Sequence, residues 1–426
     1  MRSTLSARLV AVLLFAPCGV GATEPANVTP SLVTSAQASE VLGLDEALQR
    51  ALRLNPELAV ARGEVNATEA ARAQAALWPN PELELEIEGS DSSERETTLI
   101  LSQPLELGGQ RAARMDVAEQ GWRLAEARYA LALADVRSQV LRAFALTLTA
   151  QEQARQAERA LELANKVLAV TAKRVKAGDV SPVEEIRAQL TATTARTEQR
   201  QARGQLEAAR LRLAGLWGES HPAFSRLDGE LDRLPEPGSR RALEQAVERA
   251  PRLVLAQREL MRARALAELE QTRRIPPVTL TAGAKRIEES DETIPVIGFS
   301  MPLPLFDRNQ GNLLEAQRRI DIARDQLAST RVQVRQELLL AYTQLDTARD
   351  EADIMRQDIL PSAQGAYDAT LKGFELGKFS LLEVLEAQRA LDQARTHFVR
   401  AQAEAHQALA VIEGIRGMAV AGMEQN

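Results

Sequence analysis

The chain has one cysteine in 426 residues, three histidines and only 3% aromatic side chains. A lone cysteine, Cys18, excludes any disulfide framework within the chain. The histidines, His221, His397 and His406, lie apart. Even the nearest two are nine positions distant, not the i, i+3 or i+4 spacing that sets two ligands on one helical face. Neither a transition-metal site nor a cofactor is expected. So few aromatics argue against a compact aromatic core and favour long Ala/Leu/Glu/Arg helices packed along seams. Beyond the N-terminus no run approaches the roughly 20 apolar residues that a spanning helix needs, so any membrane crossing falls to strands. Basic charge is also scarce. A net charge of −7 and the lack of a basic stripe exclude nucleic-acid binding and point to cations or proteins as partners. There is no paired nucleophile and base, no Gly-rich phosphate loop and no HExxH, which leaves an enzyme reading without residues.

At the N-terminus, Arg2 and Arg8 flank the apolar run Leu9 to Ala16, followed by Val20-Gly21-Ala22. This is the layout of a secretory signal peptide over 1–22, cut after Ala22. Cys18 invites a lipidation reading, which Pro17 disfavours because a small residue is wanted just before the modified cysteine. Residues 23–40 read as an extended segment.

The remainder says nearly the same thing twice. Ala47-Leu48, Ala51-Leu52 and Pro56-Glu57-Leu58 match Ala242-Leu243, Ala246-Val247 and Pro251-Arg252-Leu253. Ser102-Gln103-Pro104-Leu105 matches Ser300-Met301-Pro302-Leu303, and Gly178-Asp179-Val180-Ser181 matches Gly377-Lys378-Phe379-Ser380. Repeat 1 is set at 41–217 and repeat 2 at 239–417, with a linker at 218–238 and a tail at 418–426. Each repeat reads as helix, β-hairpin, long helix and short helix, so the fold class is mainly α with a small β part.

The hairpins are expected at about 81–104 and 276–303. From Glu82 to Glu88 strict alternation puts Leu83, Leu85 and Ile87 on one face and Glu82, Glu84, Glu86 and Glu88 on the other. Alternation alone fits a hairpin on a soluble domain equally well. If the strands do span a membrane, four of them cannot close a barrel, since single-chain membrane barrels begin at about eight. Several copies would have to share one barrel.

The long helices, about Gln110 to Ala177 and Asn309 to Leu376, would be rods of roughly 100 Å at 1.5 Å per residue. Helices from about Val183 to Trp217 and Arg240 to Arg274 are half as long. Stacked end to end they match one rod, with the irregular linker as an equatorial belt. Val384, Ala387, Leu391, Ala394, Phe398, Ala401, Ala405, Ala408 and Ile412 form a heptad seam. Ala188, Ala192, Ala195, Ala202, Leu206, Ala209 and Leu213 repeat it. In the second rod, Leu313, Ile320, Leu327, Val334 and Ala341 hold one seam, and Leu338, Leu345, Ala352 and Ile359 take over from it.

With its signal peptide and these paired repeats, nearly the whole mature chain resembles the TolC-like outer-membrane efflux proteins. The junctions Ser102 to Arg111 and Pro302 to Gly311 look like those of the cobalt-zinc-cadmium resistance branch. The resemblance implies a homotrimer in the outer membrane of a Gram-negative bacterium. Its shared 12-stranded β-barrel would meet lipid and continue as an α-helical barrel through the periplasm. It also implies a passive exit duct for heavy-metal cations, served by a periplasmic adaptor and a proton-driven inner-membrane pump of the RND type. A drug-efflux or type I protein-secretion duct has the same architecture. A soluble periplasmic coiled-coil or adaptor protein would also explain the helices.

Two groups of residues are singled out at the helical tips. Gly178, Asp179, Val180 and Ser181, with Gly377, Lys378, Phe379 and Ser380, join long helices to their return partners; Gly ends one helix and Ser caps the next. By resemblance these tips meet the adaptor. Just beyond, Glu383 and Glu386 share a helical face, and threefold symmetry would stack them into carboxylate rings that retain cations. Glu184 and Arg187 are their first-repeat counterparts. Glu82, Glu84, Glu86 and Glu88 would line the barrel if Leu83, Leu85 and Ile87 face lipid. Simple capping and a solvated acidic face are the competing readings.

Overall fold

A computed structural model describes residues 40–89, 94–234, 236 and 239–417. The signal peptide expected over 1–22, Cys18, all of the 23–40 segment but its last residue, and the tail 418–426 lie outside the described residues. So do positions 90–93 of the first hairpin turn and 235, 237 and 238 of the linker.

Strand β1 (Glu40–Gly43) precedes helices α1 (Leu44–Leu54) and α2 (Pro56–Ala75), then β2 (Glu82–Glu88), β3 (Glu96–Leu105), α3 (Gln110–Ala177) and α4 (Pro182–Gly215). After β4 (Phe224–Asp228), the second half runs through α5 (Arg240–Ala246), a 3-10 turn (Val247–Arg249), α6 (Pro251–Thr272), β5 (Val278–Ile287) and β6 (Glu292–Ser300). It ends with α7 (Gln310–Ile354), a π turn (Met355–Ile359), α8 (Leu360–Glu375) and α9 (Leu381–Arg416). Among the described residues no helix is long and apolar enough to cross a membrane.

Three expectations are corrected. The helix expected from Arg240 to Arg274 is broken before Pro251, because a residue preceding proline is driven out of the α region; Ala250 has ψ 134°. Asn55 does the same before Pro56, and its side chain accepts from the Glu57 and Leu58 amides at 2.8 and 3.1 Å. Its amide group also donates to the Leu216 carbonyl at 2.8 Å, tying the start of α2 to the end of α4.

The second long rod is not wound evenly. A π turn precedes Pro361, and Ile359, expected in the seam, is exposed while Ala352 before it and Tyr367, Leu371 and Phe374 after it are buried. An extra residue in the turn rotates the apolar stripe away from position 359.

The linker, expected to be irregular, contains β4, which pairs in parallel with β1. Phe224 and Leu227 are buried against Trp217, Leu42 and Phe144. Gln151 of α3 clasps this strand at Leu227, accepting from its amide at 3.1 Å and donating to its carbonyl at 3.4 Å. Gln402 donates to Asp232 at 2.6 Å, and His406 meets the Leu231 carbonyl at 3.2 Å. Burial lowers the His406 pKa despite that bond, keeping the ring neutral.

Helix α3 organises the rest. Its C-terminal half carries α4, with Thr147 bonded to the Ala209 carbonyl and Arg203 paired to Glu158 at 2.9 Å. Its N-terminal half carries α2, through Arg72 and Glu119 at 2.8 Å, and α6, through Gln110 and the Thr272 carbonyl. Helix α6 also borders α7, where Arg252 meets Glu337 at 2.5 Å. Helix α9 closes against α3 where Ser138 donates to the Ala410 carbonyl at 2.8 Å. Approach is close there, since a Cβ on Gly414 would come 2.9 Å from the Ser138 hydroxyl. The α9 seam is buried at Val384, Leu391, Ala394, Ala401, Ala405, Ala408 and Ile412, and the α4 seam at Ala188, Ala192, Ala195, Ala202 and Leu213. Alanine at so many seam positions lets neighbouring backbones approach closely, while each buried leucine or isoleucine adds about 1.5–3 kcal/mol.

Asn55→Ala removes a helix cap and a long-range bond together, so it should cost about 1–2 kcal/mol. This would lower the heat-denaturation midpoint followed by circular dichroism in detergent; an unchanged midpoint would remove Asn55 from this role.

Candidate functional site

The four long strands form one antiparallel sheet in the order β2-β3-β5-β6. β2, at seven residues, starts after Pro81 and ends before Gly89, whose φ is +90°. Residues directly opposite each other share a face, so the register sorts the side chains. One face carries Leu83, Leu85, Ile87, Leu99, Leu101, Leu280, Ala282, Ala284, Ile297 and Phe299. These large side chains are exposed, Ile297 at 86% and Phe299 at 78%. Gln103 interrupts that face at the junction end, and Thr97, Arg286 and Thr293 interrupt it at the hairpin end, where Arg286 pairs with Glu288 and Asp291.

The opposite face carries Glu82, Glu84, Glu86 and Glu88 beside Ser102, Thr98, Glu96, Thr281, Gly283, Lys285 and Gly298, with Ile100, Ile287, Ile294 and Val296 set among them. Lys285 pairs with Glu96 and lies 3.8 Å from Glu88, so the acidic column has a cation at one end. Lys285 was not among the residues read from the sequence, because its partners become neighbours only across three strands. Both outer strands, β2 and β6, leave one edge unpaired.

At the sheet-to-helix junctions the two halves use one device. Gly109 and Asn309 take left-handed conformations, φ 82° and 57°, just before α3 and α7. Gln110 then accepts from the Gly108 amide at 2.9 Å, and Gln310 from the Arg308 amide at 2.8 Å. Arg114 braces the first junction by holding Glu106 at 2.6 Å and the Ala75 and Leu77 carbonyls.

At the far ends, Gly178 and Gly377 adopt φ 81° and 74°. The backbone folds back there: Asp179 donates to the Arg174 carbonyl at 2.9 Å, and Lys378 to the Gly373 carbonyl at 2.8 Å. Ser181 caps α4 through the Val183 amide at 3.3 Å. Asp179 and Lys378 are exposed and Val180 is half-buried. Phe379 is 43% exposed, with its ring laid over Gly373. A Cβ at 373 would fall 2.0 Å from that ring.

Two turns alike in backbone thus differ in chemistry. Arg174 crosses between them, bonding the Phe374 carbonyl at 3.1 Å with its guanidinium 4.7 Å from the Phe374 ring centroid. In the repeat Arg174 occupies the position of Gly373, so only one half has the bridging cation. No sequence signal marked it.

The acids diverge as well. Glu383 closes a capping box, accepting from the Ser380 amide and hydroxyl at 2.7 Å while Ser380 accepts from the Glu383 amide. Those bonds hold its carboxyl below the ordinary range, the backbone bond first. Glu386, one turn on, is exposed. Glu184 is half-buried with one carboxylate oxygen lacking a hydrogen-bond partner, and Arg187 is exposed. Among the described residues no group of three or more His, Cys, Asp or Glu is arranged to hold a metal ion.

A family model described as outer membrane efflux protein matches the chain twice, over residues 47–219 and 242–417. The chain belongs to the outer membrane efflux protein family. This makes it an outer-membrane channel that extends into the periplasm. It is 38% identical over 381 residues to the cobalt-zinc-cadmium resistance protein CzcC of Cupriavidus metallidurans, covering 89% of this chain and 91% of that one. To the nickel-cobalt-cadmium resistance protein NccC of Alcaligenes xylosoxydans xylosoxydans it is 29% identical, covering 84% of this chain and 83% of the relative. Among solved structures, CusC superposes with a TM-score of 0.76 at 19% identity, over 91% of this chain and 96% of that one. At that identity CusC speaks for the TolC-like fold alone, in which strands and long helices belong to one channel.

The depressed Glu383 pKa fixes a pH dependence. Its capping contribution is fully present above the unfolded carboxylate pKa and is lost as pH falls through the lower folded value. Hydrogen-exchange protection of the Ser380 amide, corrected for intrinsic rates, should therefore hold at neutral pH and drop under acid. Glu383→Gln should flatten that response, and a wild-type profile in the variant would count against the assignment.

Proposed function

We propose that this efflux channel is the passive exit duct for heavy-metal cations in a tripartite system. Its partners would be two further copies of the chain, a periplasmic adaptor and a proton-driven inner-membrane pump of the RND type. The observation that carries the cargo reading is the glutamate column on the polar face of the sheet, backed by the metal-resistance names of CzcC and NccC. With the apolar face toward lipid, that column lines the barrel, and carboxylates along a pore attract and retain cations. Three copies of a four-stranded sheet give twelve strands and remove the open edges.

At the periplasmic end, Glu383 and Glu386 become two rings under threefold symmetry. The Ser380 bonds favour the ionised form of Glu383, and Glu386 is exposed. The halves differ, since Arg187 stands where the second repeat has Glu386, so the gate alternates acid with base around its rim. Gly178, Asp179, Val180 and Ser181, with Gly377, Lys378, Phe379 and Ser380, form the surface for the adaptor, and the half-exposed Phe379 ring is its apolar anchor.

Deletion should sensitise cells to divalent transition metals, and the wild-type gene should restore growth while Phe379→Asp or Gly377→Glu should not, with trimers intact on native gels. Growth loss confined to drugs, or adaptor crosslinking unchanged in the variants, would overturn the cargo or the tip assignment respectively. In planar bilayers, Glu383→Gln combined with Glu386→Gln should lower the cation-over-anion permeability ratio several-fold, as removal of a carboxylate ring does. An identical ratio would dismiss the rings.

A further inference from the structure

The duplication contains more than a strand count. In a closed ring of these sheets the boundary between repeats occurs in two versions. One lies inside the chain, where β3 meets β5; the other is the seam where β6 of one copy meets β2 of the next. The first is described in full. We propose that the second repeats it residue for residue, which fixes the register between subunits; this rests on the trimeric reading above.

The equivalences come from the sequence and the two hairpins. Ser102 corresponds to Ser300 through the shared Ser-x-Pro-Leu. Ser102 faces Glu82 and Ser300 faces Thr279, so Glu82 corresponds to Thr279. Inside the chain Leu101 faces Ala282. Their equivalents are Phe299 and Leu85, so Phe299 faces the partner subunit's Leu85. In the same way Ile297 faces the partner's Ile87, and Met301 faces the partner's Leu83.

Two observations not used in the alignment agree with it. A one-residue slip would turn every side chain of a strand to the wrong face, yet this register sets Phe299, Ile297 and Met301 beside leucines and isoleucine on the apolar side. Second, β2 is a seven-residue strand bounded by Pro81 and by Gly89 at φ +90°. The register sets Pro295 opposite the partner's Gly89 and Pro302 opposite the partner's Glu82. The prolines, which cannot donate to a ladder, thus fall at the two ends of the seam and leave Val296 to Met301 free to pair.

On the polar side, Val296, Gly298 and Ser300 then lie beside the partner's Glu88, Glu86 and Glu84. At the internal boundary Lys285 stands in the position that Glu88 holds at the seam, and the equivalents of Val296, Gly298 and Ser300 are Thr98, Ile100 and Ser102. Each glutamate column therefore runs along a subunit seam, with uncharged neighbours on its open side.

The test is disulfide trapping of the full chain in outer membranes, with Cys18→Ala so that introduced thiols stand alone. Phe299→Cys with Leu85→Cys, and independently Ile297→Cys with Ile87→Cys, should give covalent trimers on denaturing gels that dithiothreitol returns to monomers. Phe299→Cys with Leu83→Cys or with Ile87→Cys joins diagonal neighbours roughly 7–8 Å apart, beyond ordinary disulfide reach, and should yield about tenfold less. Equal or greater trapping in a diagonal pair would overturn the register while leaving the trimer standing. So would trimers on native gels with no trapping in either matched pair. A chain that is monomeric on native gels would overturn the trimeric reading itself.

Discussion

Hydrocarbon offers no hydrogen bonds, and this chain meets that constraint with strands. Every backbone amide and carbonyl at membrane depth must find a partner in protein, yet the sheet has four strands and two open edges. From this follow the need for further copies, the division of the sheet into an apolar and an acidic face, and the duplicated plan itself. The helices make no such demand. They can be charged on their outer faces and thin in aromatics because their seams close on alanine and leucine.

Within that plan the halves agree where geometry is at stake and diverge where chemistry is. Gly109 and Asn309, Gln110 and Gln310, and Gly178 and Gly377 set the same turns in both repeats. Arg174 against Gly373, Arg187 against Glu386, and a capping box at Glu383 with none at Glu184 separate them. A fused pair of repeats keeps its walls alike while the rim is free to specialise.

The sequence made much of this legible, for identifiable reasons. Alternation in Glu82 to Glu88 and the heptads of α4 and α9 survive into the structure because period is imposed directly by which face is buried. The turn glycines were legible because few other residues take positive φ. The β1–β4 pair escaped notice because Phe224 to Asp228 has only two apolar side chains and is held by Gln151, remote in sequence, and by pairing with β1 at the far end of the first repeat. Arg174 was hidden because a cation in a charged helix has no local mark of its partner on another helix. Ile359 misled because a heptad count assumes uniform winding.

That winding fault has a consequence for the far end of the molecule. α3 runs 68 residues without interruption, while the second rod passes through the π turn at Met355–Ile359. The π turn takes up one residue beyond plain α winding, so the buried positions run from Ala352 to Tyr367, one residue more than two heptads, and Tyr367, Leu371 and Phe374 return to the buried face. The Phe379 ring and the Glu383 box lie roughly 30 Å further along at 1.5 Å per residue. The turn thus acts as a phase correction within the rod, keeping the end of α8 in step with the face that Ala352 buries.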